Sequence, residues 1–244
     1  TDYSPDAGTI TAGDGDDDIT VFWQNGSGSI DGGIGRDVLT VNNRDLSAHT
    51  ISNVEVLETG GSTVTATAAQ FDAFDTITVA DDPAFDTSTV NLQLSGAGAI
   101  DLTDELGLRA AQVTASSSGN NITTGVGNDT LYGGTGSDTL NGGDGDDYIY
   151  DLGSDSLTGG TGNDTIYAGA SAVPGGSVID GGTGNDLITD CSPDAGTITA
   201  GDGDDDITVF WQNSSGSIDG GIGRDVLTVS NRDLSAHTIS NVEV

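Results

Sequence analysis

A nine-residue pattern decides the fold of this chain, and its clearest copies are Gly133–Asn141 (GGTGSDTLN), Gly142–Tyr150 (GGDGDDYIY) and Gly159–Tyr167 (GGTGNDTIY). Each copy reads G-G-x-G-x-D-x-U-x, where U is apolar. The glycines permit positive φ in a tight turn, and the last four residues form a short strand. The apolar residue of each strand should point inward, as at Leu131, Leu140, Ile149, Leu157 and Ile166. Two turns and two strands make one coil of about 18 residues, so the pattern predicts a stack of coils.

Further copies of the pattern lie on both sides of these three. Full matches occur at Gly32–Thr40, Gly181–Thr189 and Gly220–Thr228, and matches with one glycine replaced occur at Ala12–Thr20, Thr124–Tyr132 and Ala200–Thr208. Asp151–Thr158 (DLGSDSLT) matches with one residue deleted. So many copies at one spacing are a far more specific signal than an isolated glycine motif.

A much longer repeat encloses the short one. Asp2–Val56 recurs as Asp190–Val244, an offset of 188 residues, and the copies differ only where Tyr3, Gly26 and Asn42 become Cys191, Ser214 and Ser230. Tandem units of this kind build elongated proteins in which each unit mainly contacts its neighbours. We therefore expect the chain to be a fragment of a longer tandem array.

Composition restricts the possible partners. The chain has 39 acidic residues against five basic ones, giving a net charge of −34, and all but four of the acidic residues are Asp. Such a charge excludes nucleic acid as a partner and argues against anionic membrane surfaces. No apolar run is long enough to span a bilayer, and the single cysteine, Cys191, cannot form an internal disulfide. Asp suits turns and binds hard cations.

These nonapeptides resemble the parallel β-roll of RTX (repeats-in-toxin) proteins. The resemblance implies that the sixth-position Asp and the main-chain carbonyls of the turns bind Ca²⁺ between successive turns on the same side. It also implies an all-β fold, a right-handed parallel β-solenoid in which a calcium β-roll continues into a calcium-free β-helix; parallel crossovers are generally right-handed.

Same-side turns should lie about 18 residues apart and form two ladders. The predicted metal ligands of the first ladder are Asp129, Asp147, Asp164, Asp186, Asp205 and Asp225, joined through the duplication by Asp17 and Asp37. The second ladder contains Asn121, Asp138 and Asp155 and then stops. The predicted carbonyl ligands are those of Gly13, Gly15, Gly33, Gly35, Gly134, Gly136, Gly143, Gly145, Gly160, Gly162, Gly182, Gly184, Gly201, Gly203, Gly221 and Gly223. Pairing neighbours predicts about seven calcium ions, each needing roughly six to eight oxygens.

We divide the chain into calcium-binding coils (1–56), a calcium-free segment (57–118), a β-roll (119–189) and the second copy of the first coils (190–244). The calcium-free segment contains five β-prone runs: Thr63–Ala66, Thr76–Val79, Thr89–Leu94, Ala99–Leu102 and Gln112–Ala115. It also contains one helical turn or two from Thr67, the predicted N-cap, to Phe74. We expect the solenoid to continue here with this turn packed over it; an inserted subdomain is the alternative.

Catalysis is not expected. The two histidines, His49 and His237, are copies of one position, and Cys191 is Tyr3 in the other copy. The expected function is that of a calcium-dependent structural module of a secreted bacterial surface protein, an adhesin stalk or S-layer-like lattice, that folds after export by type I secretion. Its partners would be calcium and neighbouring repeats of the same chain.

Three alternatives stay open. The chain is a carrier or secretion domain of a toxin or hydrolase; or it binds cell-surface glycans through Trp23 and Trp211, which otherwise only cover a loop; or it binds ice. The ice-binding alternative depends on two Thr and Asn pairs in the turns: Thr161, Asn163, Thr183 and Asn185.

Overall fold

The chain winds into stacked coils of short strands in a computed structural model, which describes residues 8–22, 26–80, 88–169, 175–194, 196–210, 215–230 and 235–243. The strands of the first half are β1 (Thr9–Asp14), β2 (Asp18–Thr20), β3 (Ser29–Ile34), β4 (Val38–Val41), β5 (Thr50–Ser52), β6 (Val56–Thr59), β7 (Val64–Ala66), β8 (Thr76–Val79), β9 (Val90–Leu94), β10 (Gly98–Asp101), β11 (Ala111–Thr114) and β12 (Asn120–Thr123). Those of the second half are β13 (Thr130–Tyr132), β14 (Thr139–Asp144), β15 (Tyr148–Asp151), β16 (Ser156–Thr161), β17 (Thr165–Ala168), β18 (Val178–Thr183), β19 (Leu187–Asp190), β20 (Thr197–Asp202), β21 (Asp206–Val209), β22 (Ser217–Ile222), β23 (Val226–Val229) and β24 (Thr238–Ser240). One short helix, α1 (Ala68–Phe71), completes the described elements.

The strands form four parallel sheets. A long front sheet runs from β10 through the even-numbered strands to β24, and a long back sheet runs from β7 through the odd-numbered strands to β23. A short front sheet contains β1, β3 and β5, and a short back sheet contains β2, β4, β6 and β8. Each strand pairs with the equivalent strand of the next coil, as Thr139 of β14 with Ser156 of β16 and Ser156 with Val178 of β18. The predicted parallel β-solenoid is therefore confirmed.

Aliphatic side chains stacked in register form the core. All five residues predicted to point inward are fully buried: Leu131, Leu140, Ile149, Leu157 and Ile166. Leu131 pairs with Ile149, and Ile149 with Ile166, so each side chain lies against its equivalent in the next coil. Burying one such side chain contributes about 1.5–3 kcal/mol.

The middle of the chain continues the same stack. Its five β-prone runs are strands β7 to β11, and β11 pairs with β9 on one side and with β13 on the other. The coils that precede β9 have three sides, since a third set of contacts joins one coil to the next. Asp45 bridges to Thr65 of β7, and the N–H of Leu46 donates to the carbonyl of Thr65 at 2.7 Å. The short back sheet ends where Ile77 donates to the carbonyl of Glu105 at 2.9 Å. Three-sided coils thus give way to two-sided ones along the chain.

Helix α1 begins where the N-cap was predicted but lies in a different place. The Thr67 hydroxyl accepts from the N–H of Gln70 and the Gln70 side chain accepts from the N–H of Thr67, which is a capping box. The prediction that this turn packs over the solenoid is wrong. Phe71 is fully buried, α1 contacts β10, and Gln70 donates to the carbonyls of Leu46 and His49 just before β5. The helix takes the place of a strand, and Phe71 at its end and Phe74 just after it are buried in the coil interior.

No helix among the described residues has the length and apolar character needed to cross a bilayer.

Candidate metal centre

The turns between the strands bring glycine carbonyls into columns. All glycines predicted as carbonyl ligands have positive φ except Gly136. A Cβ added to Gly160 would overlap the carbonyl oxygen of Gly143 one coil earlier, and a Cβ on Gly162 would overlap that of Gly145. Only glycine fits here, because successive turns stack backbone against backbone.

Each predicted aspartate of the first ladder contacts the next one along the stack. The backbone N–H of Asp129 donates to Oδ1 of Asp147 at 2.7 Å, and the same bond recurs from Asp147 to Asp164 (2.8 Å), Asp164 to Asp186 (2.8 Å), Asp186 to Asp205 (2.8 Å) and Asp205 to Asp225 (3.0 Å). In the first copy of the long repeat, Asp17 donates to Asp37 at 2.8 Å. The structure therefore brings all eight predicted residues of this side into ladder contacts.

The second ladder is shorter, and one residue was assigned wrongly. Asp138 donates to Oδ1 of Asp155, and the residue that donates to Asp138 is Asn120, at 2.7 Å. Asn120 is buried, whereas Asn121 points outward from β12. The turn before Asn120 lacks the nonapeptide glycines, but the spacing already indicates this residue, because Asn120 lies 18 residues before Asp138 and two before the buried Ile122. In later coils the strand register places Ser177, Gly196, Gly216 and His237 at this position.

The second carboxylate oxygen of every predicted aspartate is buried without a hydrogen-bond partner. This holds for Oδ2 of Asp17, Asp37, Asp129, Asp138, Asp147, Asp155, Asp164, Asp186, Asp205 and Asp225. All of these residues except Asp17 are at most 5% exposed. A buried ionised carboxylate without a partner is very costly unless it is paired or coordinates a metal.

The space beside these oxygens is lined with further oxygen atoms. A Cβ built on Gly159 would meet both Oδ2 of Asp164 and the carbonyl oxygen of Gly181, and a Cβ on Gly181 would meet Oδ2 of Asp186 and the carbonyl oxygen of Ala200. The first glycine of the nonapeptide thus leaves an oxygen-lined cradle. Hard oxygens are the donors that Ca²⁺ prefers, so the residues present fit a calcium ion.

Main-chain oxygens have to complete any such site. Within the described ranges, no three His, Cys, Asp or Glu side chains are grouped so that they could hold a metal by themselves. The first ladder instead offers one carboxylate per coil, alternating with glycine carbonyls. A metal bound here would join successive coils, because its ligands come from more than one of them.

Burial raises the pKa of these carboxyls above the usual value near 4. It raises the pKa of Asp147 to about 8 and that of Asp186 to about 7, with the neighbouring ladder aspartates adding to the effect of burial. Burial likewise raises the pKa of Asp138 and of Asp164 to about 6. The hydrogen bond from the preceding ladder N–H opposes the rise in each case. Positive charge is therefore needed to keep Asp147 and Asp186 fully ionised at neutral pH.

Two acidic residues of the ladders were missed by the sequence reasoning. Oε2 of Glu55 accepts from the N–H of Asp37 at 2.8 Å, so a glutamate continues the first ladder 18 residues later. Asp151 is fully buried and lies at the start of the second-ladder turn that ends in Asp155. Glu55 has no glycine-rich turn before it. Asp151 was detectable as an Asp in place of the first glycine of a nonapeptide.

An outer ladder runs beside the inner one in the opposite sense. The N–H of Asn163 donates to Oδ1 of Asp146 at 2.7 Å, and the N–H of Asn185 donates to Oδ1 of Asn163 at 2.8 Å. In the inner ladder the earlier residue donates; here the later residue does. The asparagines of the ice-binding alternative therefore serve as contacts between coils. Trp23 and Trp211, the candidates for glycan binding, lie outside the described residues.

Comparison with known proteins identifies the repeats. Residues 115–150, 151–172 and 174–189 match a family described as RTX calcium-binding nonapeptide repeat (4 copies). No curated protein matches the chain. RTX repeats bind calcium, and the matched segments contain both ladders at their most regular. The match covers these three segments and not the rest of the chain. Together with the parallel coils and the glycine turns, it supports an RTX β-roll repeat protein.

Proposed function

We propose that this chain is a calcium-dependent structural module of a secreted bacterial protein, and that calcium binding drives its folding. The observation that carries the proposal is the set of ten aspartates whose buried Oδ2 atoms have no hydrogen-bond partner. Without counter-ions, the ladders would place like charges in a dry environment in coil after coil. A chain of net charge −34 would then resist folding.

The ligands would be Oδ2 of those ten aspartates together with turn carbonyls, those of Gly181 and Ala200 among them. When bound, Ca²⁺ supplies positive charge and accepts six to eight oxygens at about 2.3–2.6 Å. The protein residues hold the ladders in register, since Oδ1 of nine of these aspartates, all except Asp17, accepts from a backbone N–H of the preceding coil. We propose about seven ions, one for each pair of adjacent ladder aspartates. Binding free energy would then contribute directly to folding free energy.

The arrangement also suits a protein that crosses membranes unfolded. In a low-calcium cytoplasm, repulsion between ladder aspartates would keep the chain open, and external calcium would allow it to fold. The near-identical copies 188 residues apart support a rod built of many such units, as in an adhesin stalk or a surface lattice, with no catalytic role.

Circular dichroism of the chain during a calcium titration tests the proposal. We expect a transition from coil to β structure at about 10⁻⁴–10⁻³ M Ca²⁺, the range of extracellular modules, and no transition with Mg²⁺ at the same concentrations. A complete β signal in excess chelator would show that the ladders do not need metal. Electron microscopy of the calcium-loaded protein would then report whether it forms rods or lattices; dispersed particles with no lateral order would exclude a lattice.

A further inference from the structure

Two unlike rows of side chains lie on adjacent coils at the edge that carries the first ladder. They occupy the third, fifth and seventh positions of the nonapeptide. The acidic row consists of Asp14, Asp16 and Asp18, and the mixed row of the next coil consists of Ile34, Arg36 and Val38. Five of these six side chains are exposed, and that of Val38 is half-buried. The edge therefore presents carboxylates in one coil and a cation between two aliphatic side chains in the next.

Strand pairing fixes the two rows beside one another. Asp14 pairs with Ile34 and Asp18 with Val38, and the backbone N–H of Arg36 donates to Oδ1 of Asp16 at 2.8 Å. The second copy repeats this arrangement: its acidic row is Asp202, Asp204 and Asp206, and its mixed row is Ile222, Arg224 and Val226. Each chain therefore carries the two rows twice, in the same register.

The mixed row combines two features that are rare on this surface. Ile34 and Ile222 are each 73% exposed. Among the described residues, Arg36 and Arg224 are the only arginines with an exposed side chain, and the chain contains no lysine. A single exposed apolar side chain is ordinary in a soluble protein. Here, however, it lies next to one of the few cations and beside a row of three carboxylates.

The two rows are complementary to each other, which makes the surface complementary to itself. Neighbouring strands are about 4.8 Å apart, so a two-fold axis running between the rows would set the acidic row of each copy against the mixed row of the other. Each arginine would then face carboxylates, and the two isoleucines of the contact would lie side by side across the axis. Two-fold contacts use the same surface on both partners, and here the two solenoids would run antiparallel.

We propose that folded copies of this chain associate side by side, in antiparallel orientation, through the acidic and mixed rows. The net charge of −34 repels a second copy at long range, so association requires a local surface where opposite charges meet, as these rows provide. Because each chain carries the rows twice, one chain can contact two others, and association can extend beyond a dimer. The inference rests on the proposed function, since only the calcium-folded solenoid presents the rows in register.

Sedimentation of the chain over a range of concentrations in saturating calcium tests the proposal, with circular dichroism of the same samples to report folding. Removing both exposed cations, by Arg36→Gln with Arg224→Gln, should raise the dissociation constant about tenfold, because each two-fold contact loses two ion pairs. The control is Asn163→Asp with Asn185→Asp, on the same edge two and three coils away from Arg224. Both double variants change the net charge of −34 by the same two units, and the control should change the dissociation constant by less than about twofold.

A third double variant separates the contact from general charge repulsion. Asp16→Asn with Asp204→Asn keeps the oxygen that accepts from the next coil but makes the net charge less negative by two units. General repulsion predicts stronger association of this variant, whereas the proposed contact predicts weaker association. Ile34→Ser with Ile222→Ser leaves the net charge unchanged and removes no core side chain, and it should also weaken association.

Each other outcome has a definite meaning. If the natural chain folds with calcium but sediments as a monomer at every concentration, the inference is overturned while the proposed function stands. Equal effects of the arginine and asparagine variants, or stronger association of the Asp16 and Asp204 variant, would also overturn it. Should the arginine variant fail to fold, the isoleucine variant decides, and unchanged association would refute the contact. If the natural chain stays unfolded in calcium, both proposals are refuted.

Discussion

The backbone N–H of Asp164 donates to Oδ1 of Asp186 at 2.8 Å, although 22 residues separate them. Asp147 and Asp164, only 17 residues apart, make the same bond at the same length. The additional residues fall in the sequence between β17 and β18, and the length of the ladder hydrogen bond is unchanged. The hydrogen-bond geometry of the first ladder is therefore the same in coils of different length.

Removing one ladder charge should weaken calcium-induced folding without breaking the hydrogen-bond ladder. In Asp186→Asn the amide oxygen still accepts from Asp164, but the buried charge is lost. We expect the calcium midpoint of folding to rise about tenfold, or about 1.4 kcal/mol. Asp180→Asn, on the exposed outer face of β18, is the control and should leave the midpoint unchanged. Equal midpoints for both variants would show that Asp186 is no ligand.

Two equivalent glycines allow the free-energy cost of a strained backbone to be measured separately from that of steric overlap. Gly13 and Gly201 are equivalent, with φ of +118° and +120°, but a Cβ on Gly13 meets nothing within 4 Å, whereas one on Gly201 overlaps the carbonyl of Gly182. Gly13→Ala should cost about 1–2 kcal/mol from the left-handed backbone alone. Gly201→Ala should cost clearly more, measured as unfolding free energy in saturating calcium. Similar costs would mean that the coils separate easily enough to admit a methyl group.

Lowering the pH should partly restore folding in the absence of calcium. The folded pKa values of about 6 for Asp138 and Asp164, 7 for Asp186 and 8 for Asp147 exceed the unfolded value, which is near 3.9. Folding without metal therefore takes up protons. The resulting stabilisation is complete below about pH 4 and is lost as pH rises through the folded values of about 6–8. In chelator, β structure followed by circular dichroism should increase from pH 8.5 to pH 5; a decrease would contradict the prediction.

Glu55 should matter more than its neighbour Glu58. Glu55→Ala leaves the N–H of the fully buried Asp37 without its acceptor, which costs about 1–3 kcal/mol. Glu58 only accepts from the hydroxyl of Thr40 at 3.1 Å on the outer face of β6, so Glu58→Ala should cost less than about 1 kcal/mol. Thermal unfolding in saturating calcium compares the two. A larger loss of stability for Glu58→Ala than for Glu55→Ala would contradict the role of Glu55 as a ladder residue.

Sequence reasoning succeeded where one period controlled both turn and strand. The column that Asp147 and Asp164 share was predicted, because the glycines before them and the apolar residues after them leave a single register. Their role as calcium ligands stays a prediction. Asn120 was missed in favour of Asn121, although its distance of two residues from Ile122 and of 18 residues from Asp138 indicated it. Glu55 was missed because no glycine-rich turn precedes it.

The three-sided coils and the position of α1 could not be predicted either. Phe71 and Phe74 lie in an ordinary amphipathic segment, and the pattern alone does not tell whether such a segment covers a solenoid or fills it. That choice depends on the volume inside the coil, which tertiary packing sets. Asp151, in contrast, was detectable as a departure from the nonapeptide. Only the structure shows that its carboxylate is buried beside Gly133 of the neighbouring coil.

Helix α1 also has a mechanical consequence. It lies between β5 and β10, and among the described residues no strand joins the short front sheet to the long one. Before α1 the coils are joined by three hydrogen-bonded faces, but at the level of α1 only two of these faces continue. A pulling force along the solenoid axis would therefore be carried by two faces at this level. In the proposed rod of many such units, these levels would yield first under tension, so each repeat would carry its own extensible joint between stiffer lengths in which every sheet is continuous.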